Sequence, residues 1–141
     1  MHASPNSVLV ADDNFNVRAA LCAFLERSLG MQVCAWAGNG SEAIKKAEEQ
    51  RPNLILLDLC MPVMSGLEAA SAIRKAVPDA RIIMFTLYSD TFAELLAKAA
   101  GVDLVISKSQ GVAALLDALE PRLSELNPER SANAAIANSS R

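Results

Sequence analysis

Short runs of β-branched residues and leucine alternate with longer segments of helical period along most of this chain. Residues 8–11, 32–37, 54–57, 81–85 and 104–106 read as strands. Most of these runs are continuously apolar rather than alternating, the mark of parallel strands covered on both faces. Between them, residues 16–29, 41–49, 66–76 and 91–100 read as helices, and a last helix starts at Gln110. Five β-α units in succession predict an α/β fold, a five-stranded parallel sheet doubly wound by helices, because parallel neighbours are joined by crossover helices.

Punctuation sets the expected boundaries. Gly-Asn-Gly at positions 38–40 predicts a turn, with Ser41 able to cap the helix after it. Gly101 follows Ala100 where a helix-terminating glycine belongs, and Glu94 and Lys98 form an i,i+4 pair on an exposed face. Val112, Leu115, Leu116, Leu119, Leu123 and Leu126 share one stripe of the final helix, which Pro121 should kink or break near Glu120. After Leu126 the stripe stops and Ile136 is the one strong hydrophobe. The expected division is a disordered start over residues 1–6, one domain over 7–126, and a flexible tail or linker start over 127–141.

Composition narrows the function classes. Hydrophobic residues are 52% and charged residues 21% of the 141, enough for a real core in a single domain. Aromatics are only 4%, so Ala, Leu, Ile and Val must build that core. A net charge of −3 offers no basic face for nucleic acid. Mean hydropathy is +0.22, yet no apolar run approaches the roughly 18 residues of a membrane span. The start MHASPNS has neither the basic region nor the apolar stretch of a signal peptide, which points to the cytoplasm. Cys22, Cys34 and Cys60 are odd in number and lack CxxC spacing, so they read as reduced thiols rather than a disulfide or zinc framework.

In a parallel α/β sheet, ligands bind outside the carboxyl ends of the strands. Asp12 and Asp13 follow the first expected strand, Asp58 the third, Thr86 the fourth, and Ser107 with Lys108 the fifth. The second ends in Trp36, Ala37 and Gly38, which offer no chemistry there. Clustered carboxylates repel unless a cation intervenes. Mg2+ suits such a site, taking one or two carboxylates, waters and a phosphate oxygen. A carboxylate, a metal, an ammonium and a hydroxyl are what phosphoryl transfer onto an aspartate requires.

The stretches VLVADDN, LILLDLCMPVMSG, MFTLYSD and VISKS resemble the response-regulator receiver domain of two-component signalling, and WAGNGSEAI resembles its second strand and the entrance to its second helix. The resemblance implies the flavodoxin-like (βα)5 receiver fold. By matching position it makes Asp58 the phospho-acceptor, Asp13 the direct metal ligand, and Asp12 a metal-site carboxylate acting mostly through water. The backbone carbonyl of Cys60 would complete the Mg2+ shell, Lys108 would pair with the acceptor and then the phosphoryl group, and Thr86 would be the switch hydroxyl. Pro62 and Gly66 would shape the loop beneath the acceptor. Tyr88 and the Lys108-Ser109 pair lean toward the NarL-type branch. The family's switch aromatic falls at Val105, which puts the usual readout in question but not phosphorylation. The implied partner is a sensor histidine kinase or phosphotransfer protein, with a second copy as another candidate. No membrane is implied, and DNA only through an output domain outside this chain.

Other readings compete. An aspartate-nucleophile phosphohydrolase commonly carries an acid/base Asp two residues after its nucleophile, where this chain has Cys60. A phosphorylation-independent docking or dimerisation module would leave the acidic cluster without a purpose. Asp12 and Asp13 could merely cap the first helix, Met61 and Met64 read as packing residues, and His2 is no catalytic base. Lys45-Lys46 and Arg74-Lys75 read as solvated helix faces.

Overall fold

A computed structural model of the chain describes residues 6–126, so the expectations for His2 and for the tail at 127–141 lie outside the described residues. The elements in order are β1 (Ser7–Ala11), α1 (Phe15–Leu29), β2 (Gln32–Ala37), α2 (Gly40–Gln50), β3 (Leu54–Leu57), α3 (Gly66–Ala76), β4 (Arg81–Thr86), α4 (Thr91–Ala99) and β5 (Leu104–Ser107). A 3-10 turn, Lys108–Gln110, then leads into α5 (Gly111–Leu126). The strands form one sheet in the order β2-β1-β3-β4-β5, and every pairing is parallel. This is the doubly wound parallel sheet expected from the alternation of apolar runs and helical segments, in the flavodoxin-like order that the family resemblance implies.

Strand periodicity divides the core in two. Leu9, Ala11, Ile55, Leu57, Ile82 and Met84 point to one face, where Ala43 and Ala47 of α2, Ala69, Ala70 and Ile73 of α3, and Ala97 of α4 cover them. Val8, Val10, Leu54, Leu56, Ile83 and Phe85 point to the other, beneath Leu21, Leu25 and Leu29 of α1 and Leu115 and Leu119 of α5. Phe85 is the only aromatic among the buried members of either cluster. Four others, Phe15, Trp36, Tyr88 and Phe92, are exposed. The scarce aromatics are therefore spent mainly on the surface.

Several local expectations are corrected. Asn39, not Ser41, caps α2, its side chain accepting from the Glu42 N–H at 2.8 Å. Asn39 has the extended backbone of a cap, and Gly40, the first residue of the helix, has no room for a side chain because a Cβ there would lie 2.4 Å from the Met64 carbonyl oxygen. Arg74 is no solvated lysine-like surface group. Its guanidinium donates to the carbonyls of Pro78, Ala80 and Gly101 and pairs with Asp103 at 2.9 Å. It thereby ties the end of α3 to the starts of β4 and β5. Gly101 does sit just past α4, at φ +96°, although α4 ends one residue earlier than expected. Glu94 and Lys98 are both exposed, but no ion pair joins them among the described residues, consistent with the small worth of such pairs. α5 continues through Pro121 without a break; the proline removes one N–H from the ladder, and the helix continues on either side. Among the described residues, no helix is long and apolar enough to cross a membrane.

Candidate functional site

The strand order reverses direction between β1 and β3, and in a doubly wound sheet this switch point opens a crevice at the strands' carboxyl ends. The sheet ladder runs one residue past each strand there. Asp12 N–H donates to the Ala37 carbonyl at 3.0 Å and Asp58 N–H to the Ala11 carbonyl at 2.9 Å. Two carboxylates are thus carried by backbone that cannot drift. Asp12 is 1% and Asp58 7% exposed, while Asp13 is exposed. One oxygen from each of Asp12, Asp13 and Asp58 lies within 4.8 Å of the others.

Lys108 enters from the far side of the sheet. β5 ends at Ser107, whose side chain caps the 3-10 turn by accepting from the Ser109 N–H at 3.2 Å. That turn sends the Lys108 side chain inward. Its ammonium donates to Asp12 Oδ2 at 2.6 Å and to Asp58 Oδ2 at 3.1 Å. The expected pairing with Asp58 is present, and Asp12 is the shorter partner. Burial pushes the Lys108 pKa down, but the hydrogen bond to Asp12 and the charges of Asp58 and Asp12 outweigh it and raise it above its ordinary value. The ammonium therefore stays charged between two buried carboxylates.

Thr86 is the last residue of β4 rather than the one after it, and is fully buried. Its hydroxyl accepts the Tyr88 N–H at 3.2 Å. No hydrogen bond joins it to the carboxylates among the described residues. Tyr88 is 62% exposed, and Leu87, Phe92, Leu95 and Leu96 are also exposed, a set of apolar side chains between the end of β4 and the later turns of α4. Val105 is half-buried and packs against the cluster on the α4 side of the sheet.

The loop after Asp58 is tightly built. Cys60 N–H points to Asp58 Oδ1 at a long 3.4 Å, and the Cys60 residue is exposed. Met64 N–H closes a tight turn on the Pro62 carbonyl at 2.7 Å, with Val63 between them at φ +69°. Gly66 lies against the Asp58 backbone, since a Cβ there would fall 2.1 Å from the Asp58 carbonyl oxygen. The structure thus gathers Asp12, Asp13, Asp58 and Lys108 into one site, with Thr86 and Cys60 at its border.

Sequence reasoning missed three contributors. Asn14 caps α1, and its N–H donates to Asp12 Oδ1 at 2.9 Å; an Asn directly before an amphipathic segment is a cap signal that could have found it. Arg18 donates to the Asp12 carbonyl at 3.0 Å. Trp36 is not idle, because the Arg18 and Lys46 side chains both lie against its ring.

Comparison with known proteins places this geometry. The family model described as the response regulator receiver domain matches residues 8–120. Over 112 residues, 79% of this chain, the sequence is 36% identical to the response regulator protein VraR of Staphylococcus aureus, and the match takes in 54% of that protein. The chain spans about half the length of the curated relatives it matches. A LuxR-family two-component response regulator from Aurantimonas sp. SI85-9A1 superposes with a TM-score of 0.79 at 32% identity, covering 84% of this chain and 85% of that one. A CheY-like receiver domain protein from Methanospirillum hungatei JF-1 superposes with a TM-score of 0.79 at 28% identity, covering 88% and 98%.

Proposed function

We propose that this chain, which belongs to the response regulator receiver domain family, accepts a phosphoryl group on Asp58 from a histidine kinase or phosphotransfer protein. Receivers of this family serve phosphorylation-based signalling rather than turning over a substrate. The observation that carries the reading is the bridge Asp12–Lys108–Asp58 at the sheet's switch point, in which both carboxylates are buried. An ammonium held between two buried carboxylates is costly as mere scaffolding, and useful where a phosphoryl group must be received.

The donor set fits a hard divalent cation, since three carboxylates each place one oxygen within 4.8 Å of the others. Asp12, Asp13, Asp58 and the backbone carbonyl of Cys60 are the residues that would hold Mg2+. Once bound, the ion supplies charge neutralisation for the transferring phosphoryl group. The chain's own residues do the rest. A carboxylate oxygen of Asp58 forms a bond to phosphorus as the donor histidine's N–P bond breaks, and the imidazole leaves with that electron pair. Lys108, already charged and within 3.1 Å of Asp58, then pairs with a phosphoryl oxygen. The Thr86 hydroxyl gives up the Tyr88 N–H that it accepts and turns to donate its O–H to the new anion.

That exchange reaches the surface directly, because the Tyr88 backbone is its present partner and Tyr88 belongs to the exposed apolar set that includes Phe92, Leu95 and Leu96. Valine at position 105 cannot swing as an aromatic would, so the β4–α4 segment is the readout. Exposed apolar surface of this kind marks a docking site, for a second copy or an output domain. DNA contact would come only through such a domain, and the compartment is the cytoplasm. The domain is a self-assisted phospho-acceptor, not an enzyme.

The test is intact-mass measurement after incubation with a small phosphodonor and Mg2+. One phosphoryl group should appear, vanishing with EDTA and in Asp58→Asn. No uptake by the wild-type protein would favour a docking module that works without phosphorylation.

A further inference from the structure

Trp36, the only tryptophan in the chain, is half-exposed at the end of β2. Arg18 Cζ lies 4.4 Å and Lys46 Nζ 4.6 Å from its ring centroid. The same guanidinium lies 5.6 Å from the Phe15 ring, one turn earlier on α1. An Arg head set against two rings keeps its plane and gives up much of its rotamer freedom. It is spent on one backbone atom, because Nη1 donates to the Asp12 carbonyl at 3.0 Å. Gly38 leaves the approach open, as a Cβ there would crowd that same Nη1 at 3.3 Å.

The Asp12 carbonyl belongs to the peptide that joins Asp12 to Asp13. Asp12 itself is held by Lys108, by the Asn14 N–H and by the β2 ladder. Asp13 has no such help. Its carboxylate has no hydrogen bond among the described residues, so the tilt of the preceding peptide decides where it points. Arg18 is the side chain that holds that peptide.

We infer that Arg18, braced by Trp36 and Phe15, is a positioning residue that aims the Asp13 carboxylate into the cation site. This rests on the reading of Asp12, Asp13 and Asp58 as that site. Two effects oppose each other when Arg18 is removed. Lost aim weakens cation binding, whereas a lost positive charge strengthens it. Outer supports of metal ligands usually change affinity by about 10–100-fold, more than a solvent-screened charge at the rim does, so loss of aim dominates.

The experiment is Mg2+ titration by calorimetry, alongside Trp36 emission and thermal melting in EDTA. Arg18→Met should weaken Mg2+ binding about tenfold. Arg18→Lys keeps the charge and a donor but not the planar guanidinium, and should recover part of the affinity. Trp36→Leu keeps the arginine but removes a brace, and should lose less affinity than Arg18→Met. Wild-type Trp36 emission should change on Mg2+ addition, and the change should be lost in Arg18→Met. Affinity in all three variants within twofold of wild type, or a loss that simply follows the melting temperature in EDTA, overturns the inference. Should Arg18→Met fail to fold, the other two variants carry the same comparison. Wild-type protein that binds no Mg2+ overturns the cation site itself, an outcome distinct from normal wild-type binding with unaffected variants.

Discussion

Lys108→Met should destabilise the metal-free domain by about 3–5 kcal/mol, the usual cost of removing one partner from a buried ion pair. The Lys108 ammonium stands 2.6 Å from one carboxylate and 3.1 Å from another, and those side chains are 2% and 9% exposed. At an effective dielectric of about 20 the two contacts correspond to gross attractions of about 6 and 5 kcal/mol. Desolvation of three ions cancels much of that in the wild type. Without the ammonium, Asp12 and Asp58 keep their desolvation and repel each other, and methionine replaces only the stem. For a domain of this size the loss corresponds to about 10–20 °C in Tm. Thermal and urea unfolding in EDTA and in saturating Mg2+ measure it. The cluster of three carboxylates and one ammonium goes from a formal −2 to −3, so Mg2+ should bind the variant more tightly and recover much of its stability. Adding Asp12→Asn should restore part of the loss in EDTA, because it removes one of the two repelling charges. A variant that melts with the wild type in EDTA, or whose deficit ignores Mg2+, would refute this charge balance.

Gly66→Ala should cost about 1–3 kcal/mol by overpacking, because its Cβ meets the Asp58 carbonyl oxygen and the Leu59 Cα; a lower Tm together with slower phosphoryl uptake would show the acceptor displaced. Val63→Asn should gain about 1 kcal/mol, since an exposed β-branched residue at φ +69° is strained where Asn is tolerated; an unchanged urea midpoint would count against strain. Cys22 and Cys34 are half-buried, and burial pushes both thiols above their ordinary pKa, with Glu26 adding to the rise at Cys22. At pH 8 iodoacetamide should therefore label exposed Cys60 first and reach the other two mainly on unfolding, as peptide mapping would read; equal labelling rates would contradict the burial.

The fold was legible because its signals are local. Runs such as Leu54–Leu57 are apolar at every position, as a strand covered on both faces must be. The acidic site was legible for a related reason, since a charge at the end of such a run falls at the sheet's carboxyl edge. Most of what escaped was decided by contacts between distant segments. Asn39 and Ser41 are both good capping residues, and the choice between them is made by the backbone, which is extended at Asn39 and already helical at Ser41. Arg74 looked solvated because most of its partners are backbone carbonyls, up to 27 residues away, and carbonyls leave no mark in a sequence. Arg18 escaped in the same way, its partner being the Asp12 carbonyl, and Trp36 because the cationic side chains on its ring come from two different helices. Thr86 and Ser107 were placed one residue outside strands that include them, an ordinary end effect.

The central claim is that one side chain, Asp58, receives the phosphoryl group. Borohydride reduces an acyl phosphate to the alcohol, so it converts a phosphorylated aspartate to homoserine. Reduction after phosphodonor and Mg2+ treatment, followed by peptide mapping, should place homoserine at position 58 and leave Asp12 and Asp13 intact. Homoserine at position 12 or 13, or none in a protein that has taken up phosphate, would contradict the account.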